Sequence, residues 1–192
     1  MPLSTPTEVL DFWFSDHARA RWFVRDAAFD EEIRSRFGDS VRAAATGELD
    51  RWVATAPGAL ALVILLDQFP RNLFRGSARA FAADARARAV AGEAIARRLD
   101  QETPLDRRKF FYLPFEHSEI PADQDRCIAL FQAWVDAHDG AAREAATEMM
   151  PWVLRHAEII RRFGRFPHRN EALGRESTEA EIAFLREPMS SF

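Results

Sequence analysis

The sequence predicts an all-α fold of about eight to ten helices, packed as one compact antiparallel array or short superhelix. Alanine occurs 33 times, whereas valine, isoleucine and threonine together occur 23 times. Alanine is the best helix former, while β-branched residues favour strands. Helix caps and helix-breaking residues recur along the chain. With 192 residues, of which 47% are hydrophobic, the chain is long enough to bury one sizeable core.

Capping residues define the first two helices. Thr5 and Glu8 form a capping box around Pro6, which suits the first position of a helix. Asp26 can cap a second, longer helix. Gly47 is suited to end that helix, because glycine readily adopts the left-handed conformation found after helix ends.

The middle of the chain contains a helix of another kind. Residues 59–66 are apolar on every side of the predicted helix, so we expect it at the centre of the core. Pro70 should limit its C-terminal end. An alanine-rich helix follows over about residues 80–99, and Pro114 should curtail a short segment at residues 110–113.

The patterns after this point predict three further helices. Apolar residues share one face over residues 121–138. A long helical pattern covers residues 141–163, in which Pro151 should kink or divide the helix and Gly164 is suited to be its C-cap. A short helix is expected over residues 167–174.

A second capping box begins the last helix. Thr178 and Glu181 have the required spacing, and Pro188 closes the segment. No linker rich in glycine, serine or proline divides the chain. We therefore expect residues 1–192 to form a single all-helical domain.

Composition and charge exclude several classes of protein. The formal net charge is -4 and the mean hydropathy is -0.28, which fit neither a disordered polyelectrolyte nor a membrane protein. The acidic balance disfavours nucleic acid as a partner. The start of the chain lacks the pattern of a signal peptide. The single cysteine, Cys127, can form no disulfide within the chain, so we expect a reducing, cytoplasmic location.

Polar residues that follow the apolar helix are candidates for a site. Asp67 and Gln68 continue a buried helix, and an unpaired buried carboxylate is costly, so Asp67 needs a cation such as Arg71 or several donors. Two interpretations stay open. Asp67 and Arg71 form an internal clamp that fixes the helix packing, or they contact a ligand together with Gln68 and Asn72.

His156 is a second candidate, because helical spacing puts its imidazole on the same apolar face as Val153 and Ile160. It is either a hydrogen-bonded core histidine or a group that transfers protons near neutral pH.

A third candidate is the run Glu-His-Ser-Glu at residues 116–119. His117 and Glu119 could supply an acid and a base. The spacing matches no established zinc pattern, and no cofactor-binding loop is present, so we expect neither a metal centre nor a cofactor.

The segment of residues 163–170 is rich in hydrogen-bond donors. Arg165, His168, Arg169 and Asn170 are interleaved with the aromatic residues Phe163 and Phe166 just where a new helix is predicted. Guanidinium groups and backbone amides at a helix start can bind an anion. The alternative is a loop clamped onto the core, in which the arginines pair with acids such as Glu119.

Three motifs in this order resemble those of the bacterial family called domain of unknown function 924. They are residues 65–72 (LLDQFPRN), residues 117–119 (HSE) and residues 165–170 (RFPHRN), which LGR follows at residues 173–175. The resemblance covers nearly the whole chain and implies a tetratricopeptide-like helical superhelix. It implies no activity.

Three functions remain open for these polar residues. They could bind an anionic small molecule or a peptide terminus. They could form the active site of a hydrolase or phosphoryl-transfer enzyme, with His117 or His156 as acid or base and Glu119 or Asp67 orienting it. They could also be an internal clamp in a protein-interaction scaffold. The candidate catalytic residues are His117, Glu119 and His156, and the candidate ligand-binding residues are Asp67, Gln68, Arg71, Asn72, Arg165, His168, Arg169 and Asn170.

Overall fold

The structure, a computed structural model, describes residues 3–22 and 24–191. Helices connected by turns make up these residues and none of them forms a β-strand, which confirms the predicted all-α class. The helices are α1 (Pro6–Trp13), α2 (Asp16–Arg19), α3 (Ala27–Thr46), α4 (Ala56–Val63), α5 (Phe69–Leu73), α6 (Asp84–Ala96), α7 (Leu105–Arg108), α8 (Leu113–Glu116), α9 (Pro121–Ala137), α10 (Gly140–Phe163) and α11 (Glu179–Phe184). No described helix is long and apolar enough to cross a membrane.

The chain groups into two compact units. Unit 1 comprises the described residues of Met1–Arg75 and Arg79–Pro114, and unit 2 comprises those of Gly76–Ala78 and Phe115–Phe192. The expectation of one domain stays a prediction, as does the tetratricopeptide-like arrangement.

The predicted caps of unit 1 are confirmed. The Thr5 hydroxyl accepts a hydrogen bond from the Glu8 amide, and the Glu8 carboxylate accepts one from the Thr5 amide at 2.7 Å. Asp26 accepts hydrogen bonds from two amides in the first turn of α3. Gly47 ends α3 with a φ of 92°. Local sequence therefore determines these helix ends.

The apolar helix of unit 1 is buried on all sides, as predicted. Every residue from 59 to 66 is buried. Pro70 does not end the helix, because a wide π-helical turn at Ile64–Gln68 joins α4 to α5 and Pro70 lies in the first turn of α5. Proline is tolerated at that position, since a first-turn amide needs no partner within its helix.

Aromatic side chains form much of the core of unit 1. The ring of Phe69 lies 5.1 Å from that of Phe37, 5.4 Å from that of Trp13 and 6.1 Å from that of Phe12. All four side chains are buried, so α1, α3 and α5 are held together by ring contacts.

Unit 2 is built around the pair α9 and α10. Pro151 was predicted to kink or divide the long helix, but α10 runs through it as one helix. Pro151 and Thr147 are both exposed, so water can satisfy the Thr147 carbonyl that proline leaves without an amide partner. The predicted C-cap Gly164 is confirmed, with a φ of 70°.

Three other predicted boundaries differ from the structure. The alanine-rich helix is shorter than residues 80–99, since α6 spans Asp84–Ala96. Pro114 lies inside the short helix α8 and does not curtail it. The helix expected over residues 167–174 is a 3-10 turn at Pro167–Arg169. Short proline-containing segments depend more on tertiary packing than on their own sequence.

Candidate functional site

A buried histidine and a buried glutamate are in contact in unit 2. The His156 Nδ1 atom lies 3.0 Å from Glu116 Oε1 and 2.8 Å from the backbone oxygen of Trp152. Both neighbours are acceptors, so we infer that Nδ1 carries a proton and donates it. The second carboxylate oxygen of Glu116, Oε2, is buried and accepts no hydrogen bond from the described residues.

The ring of Phe166 is surrounded by basic side chains. The ring centres of His156 and His168 lie 5.5 and 5.6 Å from it, and the guanidinium carbon of Arg169 lies 4.6 Å from it. The ring centres of His117 and His156 are 6.3 Å apart. Three predicted residues of unit 2, namely His156, His168 and Arg169, therefore lie around the fully buried ring of Phe166. A fourth, His117, lies beside His156.

Glu119 takes part in a different network. It accepts two hydrogen bonds from the guanidinium of Arg175, at 2.8 and 2.9 Å, and one from the Phe166 amide at 2.8 Å. Burial alone would raise the pKa of Glu119, but these hydrogen bonds hold it below its ordinary value. Arg175 also donates from Nε to Asn170 Oδ1, and Asn170 donates to Ser177. Glu119 thus ties the segment after Gly164 to the residues just before α9, and Asn170 links residues within that segment.

Arg165 belongs to a second clamp. It donates from Nε and Nη2 to the two carboxylate oxygens of Glu181, at 2.6 and 2.8 Å. Glu181 also closes the predicted capping box with Thr178, which the structure confirms. The hydrogen bonds from Arg165 lower the pKa of Glu181 to about 2, against an opposing effect of burial.

Two other polar side chains, Gln124 and Cys127, are buried on α9 near Glu116. Gln124 donates from Nε2 to the backbone oxygens of Phe115, Glu116 and Ser118, and its Oε1 atom accepts no hydrogen bond from the described residues. Burial raises the pKa of the Cys127 thiol, and the Glu116 carboxylate raises it further. Cys127 is therefore a neutral thiol under ordinary conditions.

The predicted residues of unit 1 form an ionic cluster of their own. Arg71 Nη1 lies 3.3 Å from Asp67 Oδ1 and 3.1 Å from Asp84 Oδ1, and Gln68 donates to Asp67 Oδ2 at 2.5 Å. Burial alone would lower the pKa of Arg71, but the two carboxylates raise it above its ordinary value. The predicted contact of Asp67 with Arg71 is confirmed.

Asn72 has separate partners in unit 1. It donates to Asp30 Oδ1 at 2.8 Å, and Arg75 donates to the same carboxylate from Nε and Nη2. This network joins α3 to α5.

The eleven predicted site residues fall into two groups. Asp67, Gln68, Arg71 and Asn72 belong to unit 1, and the other seven belong to unit 2. That all of them share one pocket stays a prediction. Among the described residues, no group of three or more His, Cys, Asp or Glu side chains is placed to hold a metal ion.

Three charged residues of the unit 2 networks were not among the predicted site residues. Glu116 precedes His117 in the run Glu-His-Ser-Glu, so the motif contained the residue but did not show which carboxylate meets a histidine. Arg175 was visible only as the last residue of the LGR motif. Glu181 was predicted solely as a capping residue, and its pairing with Arg165 had no signal in the sequence.

Comparisons with known proteins agree with this architecture. The chain belongs to the family described as "Bacterial protein of unknown function (DUF924)", whose model matches residues 9–189. It is similar to a solved structure, the protein of unknown function ATU0120 from Agrobacterium tumefaciens. The identity is 45%, the match covers 94% of this chain and 96% of that one, and the TM-score is 0.81. A search of curated proteins gave no match.

Proposed function

We propose that this protein binds a small anionic molecule, or the end of a peptide, in unit 2 at a site centred on Glu116 and His156. The observation that carries the proposal is the buried Glu116 Oε2 atom, which accepts no hydrogen bond from the described residues while Oε1 contacts His156. Leaving a buried carboxylate oxygen without a donor is costly, so a bound molecule that supplies a donor would gain affinity there.

The surroundings of Glu116 define the chemistry of the ligand. A hydroxyl or amino group would donate to Glu116 Oε2. An acidic group on the same molecule would meet the basic side chains around Phe166, namely His168 and Arg169. An amino acid or a hydroxy acid carries both kinds of group, and a peptide C-terminus carries the acidic group beside a backbone N–H donor. In this proposal Arg165, Asn170 and Glu119 hold the segment after Gly164 in place through their hydrogen bonds with Glu181 and Arg175.

One observation favours an enzyme as the second candidate. A carboxylate that accepts the Nδ1 proton of a histidine fixes its tautomer and supports acid–base chemistry at the other ring nitrogen, as in many hydrolases. In that case His156 would be the acid or base, Glu116 would orient it, and His117 would lie beside it. Hydrolysis and phosphoryl transfer are the reaction classes that suit these groups.

The clamp in an interaction scaffold is the competing explanation. The bidentate pairs Arg165 with Glu181 and Arg175 with Glu119 support it for those residues. For all three functions we propose a cytoplasmic location, in keeping with the single cysteine.

The test is a thermal-shift screen of the whole protein against amino acids, hydroxy acids, short peptides and phosphorylated metabolites. A ligand at about a hundred times its Kd adds roughly 2.7 kcal/mol and raises the Tm by about 5 to 10 °C. Glu116→Gln should abolish the shift, since its amide nitrogen cannot accept a hydrogen bond.

His138 offers a matched control for His156. Its Nδ1 contacts the carbonyl of Trp134 at 3.0 Å, as His156 contacts that of Trp152. We expect His138→Gln to retain the shift and His156→Gln to reduce it. Turnover of the compound that is lost in His156→Gln while binding persists would establish the enzyme. A flat screen would overturn the binding proposal and favour the clamp.

A further inference from the structure

A second cluster of basic side chains lies in unit 1 and shares no residue with the networks described so far. The Arg107 guanidinium carbon is 4.5 Å from the ring centre of Phe14, and that of Arg19 is 5.4 Å from it. Arg19 also lies 5.2 Å from the ring of Trp22, and Lys109 Nζ lies 5.0 Å from the same ring. We call Arg19, Arg107 and Lys109 the cation–ring cluster.

Arg19 and Arg107 differ in their hydrogen bonds. Arg19 donates from Nε to the Phe14 carbonyl and from Nη2 to Asp106 at 2.5 Å. The Arg107 Nε atom is buried and donates no hydrogen bond to the described residues. A guanidinium has five N–H donors in a planar fork, and in Arg107 at least one of them has no acceptor among the described residues.

The rings explain why the cations stay together. Phe14 and Trp22 meet edge to face, with ring centres 5.8 Å apart. The negative faces of aromatic rings attract cations, and this attraction offsets part of the repulsion between the cationic side chains. All three cluster residues are partly exposed, so an external molecule can contact their side chains.

We propose that the cation–ring cluster binds a phosphate group. Phosphate carries between one and two negative charges near neutral pH and offers three oxygens, which matches a guanidinium fork flanked by two further cations. A carboxylate, with one charge and two oxygens, would satisfy fewer of these donors. The proposed site is independent of the one at Glu116 and His156, because it uses no residue of unit 2.

Calorimetric titration of the whole protein at low ionic strength tests this proposal. The probes are inorganic phosphate, pyrophosphate and ATP. We expect saturable binding that weakens as salt is added. Equal affinity for pyrophosphate and ATP would indicate a site for the phosphate group alone, and tighter binding of ATP would indicate a nucleotide.

Substitutions locate the site. Arg107→Gln should weaken binding at least tenfold, whereas Arg51→Gln should leave it unchanged, because Arg51 is exposed on the turn Asp50–Ala54 and the two substitutions remove the same charge. Lys109→Gln provides a second variant should Arg107→Gln fail to fold. Absence of binding by all three probes, or equal weakening in Arg107→Gln and Arg51→Gln, would overturn the proposal.

Discussion

Replacing Glu181 by glutamine should make the stability of the protein less dependent on pH. The Glu181 side chain is only 3% exposed and accepts two hydrogen bonds from Arg165 and one from the Thr178 amide. The bonds from Arg165, opposed by burial, lower its pKa from the ordinary value of 4.5 to about 2. Glutamine keeps the shape and the capping bond and removes the charge.

The size of the effect follows from this difference in pKa. A carboxyl whose folded-state pKa is depressed stabilises the fold above its unfolded-state pKa, and that contribution is lost as the pH falls through the folded-state value. A change from 4.5 to about 2 corresponds to at most about 3 kcal/mol at pH 7, of which about half remains at pH 3. Arg165 is 28% exposed, so solvent screening reduces this value.

Urea denaturation at pH 7, 5 and 3, followed by circular dichroism, would measure the effect. The free energy of unfolding of Glu181→Gln should lie below that of the parent protein by up to about 3 kcal/mol at pH 7, and the gap should narrow by about half at pH 3. The control Glu158→Gln removes a carboxylate that is 58% exposed and pairs with Arg155, and should change stability by about 0.5 kcal/mol or less. A gap that stays constant between pH 7 and pH 3 would refute the reasoning.

Three further predictions concern packing and burial. A Cβ atom on Gly58 would lie 2.2 Å from the Trp52 carbonyl oxygen, whereas one on Gly38 would meet nothing within 4 Å. Gly58→Ala should therefore lower the free energy of unfolding by about 2 kcal/mol or more, whereas Gly38→Ala should raise it by about 0.5 to 1 kcal/mol. Thermal unfolding that showed changes of the same sign for both variants would contradict this. Cys127 is fully buried with a raised pKa, so a thiol-reactive disulfide reagent at pH 8 should modify it only after denaturation. Fast reaction of the reagent with the native protein would disprove this prediction. Arg71→Met leaves two buried carboxylates without their cation, so the free energy of unfolding measured in urea should fall by about 3 to 5 kcal/mol. A decrease below about 1 kcal/mol would contradict this and show that the cluster is solvated.

Helix ends were predictable because capping acts over three or four residues. Thr5, Asp26 and Thr178 each accept hydrogen bonds from amides that lie two or three positions further on, so the signal is complete within a short stretch of sequence. The contact of Asp67 with Arg71 was predictable for the same reason, since residues four apart share a helix face. The wide turn at Ile64–Gln68 was not, because nothing in an unbroken apolar run distinguishes it.

The partners within the candidate site depend on packing between distant segments. Glu116 and Glu119 are three residues apart, yet one contacts His156 and the other pairs with Arg175, 56 positions away. Which carboxylate meets which cation depends on how the ends of α8 and α9 pack against the rest of unit 2. Spacing alone therefore identified the polar residues and left their pairing open.

The position of the boundary between the units has a practical consequence. Lys109 is the only lysine in the chain, and it lies five residues before Pro114, the last residue of unit 1, which the larger part of unit 2 follows from Phe115. A protease specific for lysine would therefore cut the polypeptide once, into fragments 1–109 and 110–192, and the second fragment would carry the buried residues 110–114 of unit 1 as well as most of unit 2. Separating and refolding the two fragments would show whether unit 1 folds without its last five residues or whether the chain folds only as a whole, without any change to the gene.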